Sequence, residues 1–156
     1  MLSKRSLEVI FKTRFFIVER EKTARAFLKA IGHPIAQKEF QIHELDKHGG
    51  YDNFRSFIDE HSKEHNIGII SEAGLPAVAD PGSAIVKYGH QLGLHIVPLS
   101  GSSSIFLALM ASGMNGQKFS FNGYLPIDPI QRLKKLKEME KRCKSSTQIF
   151  IANLSL

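Results

Sequence analysis

Two polar stretches hold most of the residues of this sequence that could do chemistry. The first, Ser71 to Gly82, reads SEAGLPAVADPG and follows the apolar run NIGII. It gathers the Ser71 hydroxyl, the carboxylates Glu72 and Asp80, the glycines Gly74 and Gly82, and the prolines Pro76 and Pro81. Gly74 frees the backbone for a positive φ or for close approach of a ligand, and the prolines stiffen the turn. A backbone shaped in this way can hold a small molecule. It can equally be a rigid strand-to-helix connection, with Asp80 capping the next helix and Pro81 in its first turn. The second stretch, PLSGSSS from Pro98 to Ser104, also leads from a strand-like run into an apolar helix. Exposed N–H groups at a helix start bind carboxylates or phosphates, and serine hydroxyls add donors. A plain serine N-cap is compatible with the same residues. Neither stretch is a P-loop, because no Gly-Lys-Ser/Thr follows, and no dinucleotide G-x-G-x-x-G occurs.

Other chemistries find less support. His61 and His65 stand one helical turn apart, but they lie at a polar helix end with no third metal ligand nearby. Ser, His and Asp all occur, without a nucleophile elbow. Cys143 sits in a basic helix, and as the sole cysteine it excludes an internal disulfide framework and fits a reducing cytosol. That helix, from Gln131 to Lys144, carries seven basic residues against Glu138 and Glu140, a local excess of five positive charges. A solvated helix face explains it, and so does contact with an RNA backbone.

The elements that must position these residues alternate. RSLEVIFK has helical spacing at Leu7, Ile10 and Phe11, and RFFIVE is a short buried strand. EKTARAFLKAIG places Ala24, Phe27, Leu28 and Ile31 on one helical face and ends at Gly32. KEFQIHEL reads as a strand with one exposed face, NFRSFIDEHSKEH as a helix, and NIGII as a strand buried on both faces. PGSAIVKYGHQLG is a helix, LHIVPL a further strand, and SGSSSIFLALMASG an apolar helix. KFSFNGYL, the charged helix and STQIFIANL complete the chain. The pattern predicts a three-layer α/β/α fold, in which a mostly parallel sheet of about five strands forms a single domain over residues 1–156. Ligands of such sheets bind at the carboxyl ends of the strands, which puts the loops after Ile70 and Leu99 on one edge.

Bulk properties set the class. With 42% hydrophobic and 23% charged residues the chain is too apolar for disorder. No apolar run approaches the ~20 residues of a spanning helix, and the start MLSKRSLEVIFK lacks a signal-peptide core. The expectation is a cytoplasmic protein without membrane association. A net charge of +6 permits nucleic-acid partners.

The motifs also carry a resemblance. SEAGLPAVADPG resembles the S-D-A-G-x-P-x-x-x-D-P-G signature of the bacterial small-subunit ribosomal RNA cytidine 2′-O-methyltransferases, within the tetrapyrrole (corrin/porphyrin) methylase superfamily. VPLSGSSSIFLALMASG and FSFNGYLP are similar to two further family segments, and RSLEVIFKTRFFIVEREKTARAFLK to its first helix, second strand and acidic turn. Glu72 stands where the family has Asp, and Leu75 where it has a small or hydroxylated residue. The expected assembly is a homodimer formed through exposed apolar surfaces, and the resemblance implies S-adenosylmethionine as cofactor and ribosomal RNA of the small subunit as partner. It implies that Ser71, Glu72, Ala73, Gly74, Ala77 and Asp80 border the cofactor on one side, and Gly101, Ser103 and Ser104 on the other. No catalytic base is named by it; Glu19 and Glu72 are the acidic candidates, with anchoring of loops as their alternative role. Family members begin with a strand and a P-x-G-N loop and continue into a second domain, so the resemblance implies a cofactor-binding N-terminal domain trimmed at both ends. A methylase of a small tetrapyrrole, or an inactive domain that only dimerises or binds a partner, are the competing functions.

Overall fold

The computed structural model describes residues 2–45, 53–72, 74–78, 81–99, 103–146 and 149–153. In chain order its elements are α1 (Lys4–Ile10), β1 (Phe15–Val18), α2 (Glu21–Ala30), β2 (Gln41–Glu44), α3 (Phe54–His61), β3 (Ile67–Ile70), α4 (Gly82–Gln91), α5 (Ser104–Ser112), β4 (Phe119–Tyr124), α6 (Pro129–Ser146) and β5 (Ile149–Asn153). They form two compact units, Met1–Met114 and Asn115–Leu156. The α/β expectation holds: the five strands pair only in parallel.

In the first unit β1 lies between its neighbours, in the order β2-β1-β3. Phe16, Ile17 and Val18 are almost fully buried, because successive side chains of a strand point to opposite faces and helices cover both. Phe16 and Val18 pack with Ala24 and Leu28 of α2, with Phe40, and with Ile10 of α1. Ile17 packs on the other side with Phe54 and Ile58 of α3 and Ile85 of α4. These are the three layers. The apolar face predicted for α2 is the one that enters the core, and Gly32 closes that helix at φ +71°.

Two local expectations are corrected. NIGII is not buried on both faces: every residue of β3 is only half-buried, because β3 is an edge strand among the described residues. LHIVPL forms no strand. Among the described residues Leu94–Leu99 has no ladder partner, although its exposure alternates. Alternation signals a strand only where a neighbour can accept its backbone groups.

Gly68 of β3 sits opposite Phe16 in register. A Cβ built there would lie 2.7 and 2.8 Å from two carbons of the Phe16 ring, so the ring needs a residue without a side chain. Helices α3 and α4 are tied outside the core by Tyr88, whose hydroxyl donates to Asp59 at 2.8 Å and 3.0 Å. The Arg55 guanidinium lies 5.2 Å from the centre of the same ring.

The second unit is a strand-helix-strand crossover. β4 and β5 pair in parallel with a bulge between Phe121 and Tyr124, and α6 joins them. Asp128 caps α6 by accepting from the Gln131 N–H at 2.8 Å, and Pro129 occupies the first helical position, where its missing N–H costs nothing. No helix among the described residues is long and apolar enough to cross a membrane.

Two outcomes are expected. Gly68→Ala overpacks the Phe16 ring and lowers stability by about 1–3 kcal/mol, read as a lower denaturant midpoint at unchanged slope. The Tyr88 pKa is raised, first by its hydrogen bond to Asp59 and further by the negative charge of that carboxylate. Only the protonated phenol donates, so the tie is present below the ordinary tyrosine range and is lost as pH rises through the raised value. The difference in melting temperature between wild type and Tyr88→Phe should therefore vanish at strongly alkaline pH.

Candidate functional site

Residues at the carboxyl ends of β1, β2 and β3 share one edge of the sheet, since Val18 registers with Glu44 on one side and Ile70 on the other. Glu19, Glu44 and Ser71 follow from that register. The carboxylates of Glu19 and Glu44 both hold backbone rather than side chains. Glu19 Oε1 accepts from the Glu72 N–H at 3.0 Å. Glu44 Oε2 accepts from the Glu21 N–H at 2.6 Å, at the start of α2, where Arg20 offers no side-chain cap. Anchoring is thus the observed role of Glu19, and Glu72 takes part through its own amide.

The loop after β3 is folded back on itself. Ser71 Oγ donates to the Gly74 carbonyl at 3.4 Å. The Val78 N–H donates to the Leu75 carbonyl at 3.1 Å, closing a four-residue turn with Pro76 and Ala77 at its centre. Ala77 has φ +68°, as the third position of a type II turn requires, and is completely buried. Glycine usually fills that position; an L-residue held there stores ~1–2 kcal/mol of strain. Gly74 has φ +82° with nothing within 4 Å of an added Cβ, so conformation rather than space selects glycine. Pro81 then opens α4. Glu19, Leu45, Ile69, Ile70, Ser71, Pro81 and Gly82 enclose a cavity of about 10 Å³ at this edge, room for about one water.

On the second loop, Ser103 is the N-cap of α5 but its side chain makes no cap hydrogen bond. Its carbonyl receives the Leu107 N–H at 3.0 Å. Ser104 is the first residue of the helix. Because Leu94–Leu99 pairs with no strand, the sheet does not tie these serines to the edge that holds Ser71 and Glu72. Ala73, Asp80 and Gly101 lie outside the described residues. The remaining sequence candidates, Ser71, Glu72, Gly74 and Ala77, are together in one loop.

Sequence reasoning passed over three features. Glu44 anchors α2; its place at a strand's carboxyl end, like that of Glu19, was the available signal. Ala77 is named by the resemblance as a cofactor neighbour, but its positive φ was hidden by an alanine where a type II turn leads one to look for glycine, though Pro76 marks the turn. A cleft of about 300 Å³ is lined by Ser3, Arg5, Ser6, Val97, Pro98, Leu99 and Leu107; Ser3 caps α1 by accepting from the Ser6 N–H at 3.1 Å. His61 and His65, weighed as metal ligands, pack on Phe15, with ring centres 4.6 and 4.4 Å away.

Glu19→Ala should free the Glu72 amide. Loss of one charge-assisted hydrogen bond, ~1.5 kcal/mol at most for a partly exposed group, predicts up to about tenfold faster hydrogen exchange at Glu72, with the amides of β1 unchanged.

No protein-family model matches the chain. Among curated proteins it is similar to the ribosomal RNA small subunit methyltransferase I of Vibrio cholerae serotype O1, 31% identical over 140 residues, 90% of this chain and 47% of that protein. The protein of that name from Campylobacter fetus subsp. fetus is 34% identical over 130 residues, covering 80% and 47%. The one from Bacillus subtilis is 42% identical over 77 residues, covering 49% and 26%. The chain spans about half the length of the curated relatives it matches.

Proposed function

We propose that this chain, a member of the ribosomal RNA small subunit methyltransferase I family by its likeness to those relatives, is the cofactor-binding part of an S-adenosylmethionine-dependent methyltransferase. Its acceptor is a ribose 2′-hydroxyl of small-subunit ribosomal RNA, its setting the cytoplasm and its assembly a homodimer. The names of the relatives favour ribosomal RNA over a tetrapyrrole.

The observation that carries this reading is the loop from Ser71 to Gly82. It combines the signature sequence with a closed turn, a buried positive-φ residue and an anchor from a neighbouring strand. The described part of the loop, Ser71, Glu72 and Gly74–Val78, is held in place without a ligand, which lowers the ordering entropy that binding must overcome. Ser71, Glu72, Ala73, Gly74, Ala77 and Asp80 would hold the cofactor from this side, and Gly101, Ser103 and Ser104 from the second loop. The donor set suits the group. Carboxylates along the sheet edge favour a ligand with a cationic centre and disfavour a phosphate, and the Ser103 hydroxyl is not committed to its helix.

Bound there, the cofactor supplies an electrophilic methyl group on a sulfonium. The work left to the protein is orientation and exclusion of water. Glu19 contributes by holding the loop in place, since its Oε1 accepts the Glu72 amide.

Titrating the isotopically labelled chain with S-adenosylmethionine, and with its demethylated product, should move amide resonances of Ser71–Gly82 and of Ser103 and Ser104. A chain extended to the length of the relatives should transfer labelled methyl to small-subunit ribosomal RNA. If neither chain binds the cofactor, the reading is wrong.

A further inference from the structure

The charged helix α6 has its ions arranged with a side. Its two acids are engaged with lysines: Glu138 lies 3.5 Å from Lys135 and Glu140 lies 2.8 Å from Lys144. The Glu140 carboxyl is held below its usual range by that hydrogen bond and charge. Lys134, Lys137 and Lys141 are all exposed and have no acidic partner among the described residues. Their spacings of three and four residues put them on one face, at rises of about 4.5 and 6 Å along the axis. Met139, 6% exposed, lies on the opposite side and fixes that face as the outward one. Ile130 and Leu133, 80% and 54% exposed, stand at the amino-terminal end of the same face.

We propose that Lys134, Lys137 and Lys141 form a docking stripe for the phosphate backbone of a single-stranded RNA segment. The proposal rests on the reading of the chain as part of a ribosomal RNA methyltransferase. Three unpaired ammonium groups in a row match the regular charges of a polyanion. An acidic protein patch offers no such repeat, and Lys acts on phosphate as a point charge without requiring a fixed plane. A helix lying on an anionic membrane sinks the aliphatic face opposite its lysines into the lipid; here Leu136 and Met139 lie on that face, and Met139 is already buried within the protein.

The test compares the wild-type chain with Lys134→Gln/Lys137→Gln/Lys141→Gln and with a control of equal net charge, Lys22→Gln/Lys29→Gln/Lys38→Gln, whose lysines are exposed in the first unit. Binding to a labelled single-stranded RNA is followed by fluorescence anisotropy at several salt concentrations. The stripe variant should weaken binding by about tenfold or more and reduce the slope of log K against log salt by about 2, since each phosphate contact on a single strand contributes ~0.7. The control should leave the slope near that of wild type. An equal loss in both variants would reduce the effect to net charge and overturn the proposal. So would binding of wild type to phosphatidylserine vesicles but not to RNA. The cofactor titration is read on the same stripe variant. Retained shifts at Ser71–Gly82 with unchanged RNA binding would refute the stripe alone, and RNA binding through the stripe without any cofactor shifts would refute the methyltransferase reading alone.

Discussion

Burial of β1 on both faces is the constraint on which the first unit depends. Four residues, Phe15–Val18, divide their side chains between two cores, with Phe16 and Val18 under α2 and Ile17 under α3 and α4. A strand covered twice has no side open to water, so its backbone groups must be paired on both edges. β2 and β3 supply those partners. The parallel direction then follows from the helical crossovers, and with it the gathering of all three strand ends at one edge. The loop at that edge owes its position to this arrangement: Glu19 leaves β1 at the level where Ser71 and Glu72 leave β3.

Electrostatics at the edge follows from the same geometry. Parallel strands ending together bring Glu19 and Glu44 close to backbone N–H groups that no strand or helix satisfies. Glu19 binds the amide of Glu72 and Glu44 the amide at the start of α2. Each carboxylate thereby fixes a neighbouring segment, and the edge is acidic without being free to rearrange.

Much of this was legible in the sequence, for local reasons. The amphipathic face of α2, its end at Gly32, the Asp128–Pro129 start of α6 and the Pro76 turn are all set by residues close in the chain. What the sequence concealed is non-local. NIGII has the composition of a central strand and lies at an edge, because composition does not state which strands flank it. LHIVPL has a strand's alternation but no partner. The Glu44 bond to α2 joins residues 23 apart, and no spacing rule announces it. Ala77 was legible only in part, since Pro76 predicts the turn but not that an alanine would bear its positive φ. The anchoring role weighed for Glu19 was the one observed, because an acidic residue just past a strand end stands beside the next strand's departing backbone.

The edge position of β3 has a consequence for how copies of this protein meet in solution. Ile67–Ile70 carries no charge, no proline and no bulge, the devices that keep sheet edges from recruiting further strands. Among the described residues no further strand pairs with its outer backbone groups, which can template an extended apolar segment that arrives. The restraint has to come from farther away, and the net charge of +6 provides it by keeping like molecules apart. Basicity in this chain therefore acts as mutual repulsion between neighbours. A bound polyanion would neutralise that repulsion.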